Sequence, residues 1–196
     1  PIKMKKQDAS GALRNFVREM ENALEENLRL ADIDIYYPLF SNEERFWVTG
    51  VISAAHRDLS VVNIIGDESA MRFIDPRLIV PNGKVRSQFA SAAIDFAALS
   101  ISLERKELEI QNMVPELVLS ARKLIEAEIH KMLDNDSITR DILMLSNATV
   151  RSAYAACRCS YCLAPDREWL YKHMIRTTVN NIKLLGGKEN EKNSHG

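Results

Sequence analysis

From Ala12 to Ala31 the apolar residues Leu13, Phe16, Val17, Met20, Leu24, Leu28 and Ala31 recur at three- and four-residue spacing, with Arg14, Arg18, Glu21, Glu25 and Glu26 between them. That period lays the oily side chains along one stripe of an amphipathic helix. Asp32 to Phe40, with Pro38 and two adjacent tyrosines, reads as an extended connection. Ser41 and Glu44 then form a capping box ahead of Phe46, Trp47, Val48, Val51, Ile52 and Ala55, which predicts a second helix.

The rhythm returns at Val85, Phe89, Ala92, Ala93, Phe96, Leu99, Leu103, Leu108 and Ile110, which predicts one long helix over 84–112. Pro115 suits the first turn of the next, whose face is Leu117, Val118, Ala121, Leu124, Ile125, Ile129, Met132 and Leu133. Two long helices joined this tightly are expected to form an antiparallel hairpin at the centre of the fold. Beyond Asn135 the pattern shortens. It predicts one short helix from Ser137 to Leu145, another from Ala148 to Tyr161, and a last one restarted at Pro165 and Asp166 and stopped by Gly186 and Gly187.

Strand and helix compete only at 59–65, where Val61, Val62, Ile64 and Ile65 are β-branched and Gly66 ends the run. A short helical turn is the reading favoured there, with Asp67 capping a brief helix through Phe73 and a tiny strand pair near Val61 and Ile79 as the competing reading. Pro76, Pro81, Asn82 and Gly83 mark a turn-rich crossing, so 75–84 is the place for a sub-boundary. The resulting expectation is an all-α compact bundle of about seven helices around a long central antiparallel helix hairpin. The domain spans 12–187, after a flexible N-terminus at 1–11 and before a charged, disordered tail at 188–196.

Composition adds limits. With 46% hydrophobic and 27% charged residues, the chain has the make-up of an ordinary globular domain. Its 26 basic and 27 acidic residues leave a net charge of −1, which supplies no general field toward nucleic acid or anionic lipid. No apolar run approaches the roughly 20 residues of a membrane span, and the lysine-rich start is not followed by the apolar stretch of a secretory signal. A soluble, cytoplasmic protein is expected, and three cysteines crowded into one segment agree with a reducing compartment.

Phosphate loops, paired-histidine zinc helices, calcium loops and nucleophile elbows are absent from the sequence, so the expected function is non-enzymatic and needs no cofactor. Three features stand out against that background. Cys157, Cys159 and Cys162, with His173, are donors that zinc would accept. On one continuous helix, however, Cys157 and Cys159 lie about 200° apart, so a zinc site needs a break near Arg158. Packing as small apolar residues is the simpler reading.

The second feature is 137–158, two short helices around a tight turn, the raw geometry of a helix-turn-helix DNA binder. Asn147, Thr149, Arg151 and Arg158 would face phosphate or base edges. From 121 to 187 there are 10 Lys and Arg against 7 Asp and Glu, an excess of 3 that supports only a modest phosphate footprint. The third is the aromatic group Tyr36, Tyr37, Phe40, Phe46 and Trp47, of a kind that anchors partner proteins. The function expected first is therefore an adaptor, chaperone-like or assembly subunit binding a partner protein through a helical surface or groove, itself a candidate homodimer. The alternative is a DNA-binding regulator working through 137–158.

Overall fold

The computed structural model describes residues 6–36, 52–67, 69–76, 89–110, 116–135, 138–157, 168–186 and 188–189. These residues are mostly helical, with five helices: α1 Lys6–Leu30, α2 Ala93–Ile110, α3 Glu116–Asp134, α4 Arg140–Ala156 and α5 Glu168–Leu184. Three small antiparallel sheets accompany them, each of two strands: β1 Ile35–Tyr36 with β6 Lys188–Glu189, β2 Ile52–Ala54 with β5 Phe89–Ser91, and β3 Ile64–Asp67 with β4 Ala70–Phe73.

The N-terminal helix runs where its periodicity placed it, and begins earlier. Lys6 to Gly11, inside the segment expected to be flexible, are already helical. Its end is a Schellman motif: Ile33 N–H donates to the Leu28 carbonyl at 2.9 Å and Asp32 N–H to the Arg29 carbonyl at 3.3 Å, with Asp32 at φ 54°. Phe16, Val17, Met20 and Leu24 on its inner stripe are fully buried.

Helix α4, rather than the expected α2–α3 hairpin, occupies the centre. It packs against α1, α2 and α5 together, whereas α3 meets mainly α2. The reason is size and pattern: Ile142, Leu145, Ser146, Ala148, Thr149, Ser152, Ala155 and Ala156 are buried on several sides of α4, and its small residues let neighbouring backbones come close. No side chain described in α3 is buried, and Leu124 on its outer face is 72% exposed.

Other expectations are corrected by the structure. The long helix expected over 84–112 is not continuous, because Phe89–Ser91 pairs with Ile52–Ala54 as strand and α2 begins at Ala93. The same pairing takes Ile52 out of the helix expected after Ser41, whose capping box lies outside the described residues. Residues 137–158 are not two short helices. A single helix α4 runs unbroken through Asn147, Ala148 and Thr149, started by Thr139, whose Oγ1 accepts from Ile142 N–H at 3.3 Å. The 59–65 ambiguity resolves both ways, with a 3-10 turn at Val61–Asn63 leading into β3. Asp67 caps a β-turn instead of a helix, and the strand partner of Ile64 is Phe73, not a residue near Ile79. Lys188 and Glu189, expected in the tail, lie in β6. The last helix ends as anticipated, with Gly186 at φ 91° just beyond it.

Candidate functional site

Little of the proposed DNA-reading segment is presented to solvent. Thr149 is buried between α1 and α4, its hydroxyl donating to the Leu145 carbonyl at 2.9 Å and set 3.3 Å from the Met20 carbonyl. Asn27 on α1 donates across to the Thr149 carbonyl and to Ser152 Oγ at 3.3 and 3.1 Å. Asn147 sits mid-helix and cannot cap anything there. Arg151 points into the interface of α2, α4 and α5, and Arg158 lies outside the described residues. The two-helix geometry on which the DNA-reading assignment rested is not formed.

Arg151 instead belongs to a polar node that the sequence did not suggest. Its guanidinium grips the Glu104 carboxylate with both terminal nitrogens, at 3.0 Å from Nη1 and closer from Nη2, and Nη1 also reaches Thr177 Oγ1 at 3.3 Å. His173 Nε2 lies 2.7 Å from Glu104 Oε1, and Arg176 stands 3.4 Å from Nδ1. With Arg176 donating to Nδ1, Nε2 carries the proton given to Glu104. Burial pushes the Glu104 carboxyl up, but the hydrogen bonds from Arg151 and His173 outweigh it and hold the carboxyl below its ordinary range. This is an ion-pair clasp joining three helices.

His173, the one zinc-donor candidate on α5, is thus paired with Glu104. Cys157 closes α4 as its C-cap residue, a half-buried free thiol, while Cys159 and Cys162 lie outside the described residues. Among the described residues no group of three or more His, Cys, Asp and Glu is placed to hold a metal ion. Of the aromatic group, Tyr36 belongs to β1 by its backbone, and Tyr37, Phe40, Phe46 and Trp47 lie outside the described residues.

The structure's own candidate is the β3–β4 hairpin. Its foot is clamped to the body. The Asp95 carboxylate, in the first turn of α2, accepts from His56 N–H at 2.9 Å and Arg57 N–H at 2.7 Å. Arg57 adopts φ 66°, which sends its side chain inward to Glu19 at 2.7 Å and over the Phe16 ring. Val61 N–H donates to Ser102 Oγ at 3.1 Å, and His56 Nε2 meets the Ile74 carbonyl at 2.7 Å.

Beyond that foot the blade projects. All four residues of β4 are exposed, and Val62 (66%), Met71 (70%) and Phe73 (58%) join Ile65 and Ile74 as exposed large apolar side chains. Ile64 pairs with Phe73 and Gly66 with Met71, so these share one face, and Gly66 leaves a shallow recess there. Ile65 opposite Arg72 and Asp67 opposite Ala70 make the other face. At the tip Asp67 accepts from Ser69 Oγ, Ser69 N–H and Ala70 N–H at 2.6, 2.8 and 3.2 Å, bonds that keep it charged. The signal for this site was in the sequence. Val61, Val62, Ile64 and Ile65 precede Gly66, Asp67 and Ser69, and Phe73 and Ile74 follow, a hairpin pattern that the helical reading of Asp67 displaced.

No protein-family model, curated protein or solved structure matches the chain. No helix among the described residues is long and apolar enough to cross a membrane.

Proposed function

We propose that the chain is a non-enzymatic interaction subunit, an adaptor or assembly component that binds a partner protein through the β3–β4 hairpin. The observation that carries this reading is the pair Met71 and Phe73, 70% and 58% exposed on one face of a blade whose foot is hydrogen-bonded to the body, with Val62, Ile65 and Ile74 also exposed on the same hairpin. Scattered exposed leucines are ordinary on protein surfaces, whereas a contiguous apolar patch marks a contact surface. Exposed aromatic side chains are suited to anchoring a partner because they bury much area with few rotatable bonds, and methionine because its flexible thioether moulds to an irregular surface.

The aromatic group around Tyr36 lies almost wholly outside the described residues, and the reading rests on the hairpin alone. The test compares tagged wild type with Phe73→Asp in co-purification from the native host, with circular dichroism as a fold control. The partner should be lost from a variant that remains as helical as wild type. A partner held equally by both would remove the hairpin from the interface.

A further inference from the structure

We infer that the edge of β4 turned away from β3 receives an extended, basic segment of the partner as a third strand; this rests on the interaction reading above and specifies how the hairpin is used. Ile74 N–H donates to the Asn63 carbonyl at 2.9 Å, so 63 and 74 are a hydrogen-bonded pair. Antiparallel pairs alternate between bonded and non-bonded. With the register Ile65↔Arg72 and Asp67↔Ala70, the N–H and C=O groups of residues 70, 72 and 74 therefore turn inward to β3. Those of Met71 and Phe73 turn outward to the other edge. Among the described residues no strand pairs with that edge. An added strand would find two donors and two acceptors there, beside the Met71 and Phe73 side chains that supply apolar contact.

Charge selects the occupant. Between residues 58 and 77 the chain carries Asp58, Asp67, Glu68 and Asp75 against Arg72 and Arg77, four acids to two bases, a net of −2, while Arg57 is buried against Glu19. A second copy of the same hairpin would bring like charge against like. A strand alternating lysine or arginine with apolar residues complements both the carboxylates and the oily face.

The test uses two labelled peptides of about seven residues, the length of a short strand, one alternating lysine with valine and the other glutamate with valine. Fluorescence anisotropy should show the Lys/Val peptide binding saturably, about tenfold tighter than the Glu/Val peptide, and weakening as salt rises. Met71→Pro removes an outward N–H without touching a bond to β3, and should abolish binding, whereas Met71→Leu should retain it. Equal affinity for both peptides, no binding of the Lys/Val peptide, or unchanged binding to Met71→Pro would each overturn strand addition. Partner loss on Phe73→Asp reports separately on the interaction reading, so the two can fail independently.

Discussion

Glu104 shows how one carboxylate can organise three helices. It sits on α2, while Arg151 is on α4 and His173 on α5, and the pair's side chains are only 18% and 13% exposed. Removing the acid strands a half-buried guanidinium that already has one nitrogen, Nε, without a partner among the described residues. Glu104→Gln should therefore destabilise the fold by about 3 kcal/mol at neutral pH, the lower end for a broken buried pair, read from urea midpoints. The pH dependence follows from the sign of the shift. The folded carboxyl titrates below its unfolded value of about 4.3, so its contribution is complete above that value and disappears as pH falls through the folded one. The gap between wild type and variant should narrow below about pH 4. A constant gap would show that Glu104 is not the group responsible.

At the scale of elements, caps and turns decide where each segment starts and which conformation wins. Thr139 opens α4, and Thr139→Ala should cost about 1 kcal/mol without altering the β3–β4 hairpin. Gly66 governs the hairpin. At φ 130°, a Cβ there would stand 2.0 Å from the Ala70 carbonyl oxygen, a backbone atom with no room to yield. Gly66→Ala should therefore cost about 1–3 kcal/mol locally. Since the blade contributes nothing to the buried core, amide protection should fall across 64–73 while the global melting temperature barely moves. A large drop in melting temperature would mean that the hairpin is integral to the core.

For the whole molecule, the ranking of helices becomes a ranking of mutations. Leu145 on α4 is fully buried in the main apolar cluster, and Leu145→Ala should cost about 2–5 kcal/mol. Leu124 on α3 is 72% exposed, and Leu124→Ala should stay within about 0.5 kcal/mol. If the two costs were similar, α4 would not be the centre of the fold.

Sequence by itself determined the helical segments whose apolar stripe is long and cleanly periodic, namely α1, α3 and α5, and the glycine stop at 186. These properties depend only on the order of residues along a local backbone. Tertiary structure decided the rest. Asn147-Ala148-Thr149 reads as a turn in isolation, but three helices packed around α4 satisfy Thr149 and Asn27 internally and reward an unbroken helix. Phe89 fits a helical period, yet pairing with Ile52–Ala54 claims it for a strand. Partners for Glu104, Arg151 and His173 lie up to 69 residues apart, and such meetings are set by packing, which no local pattern records.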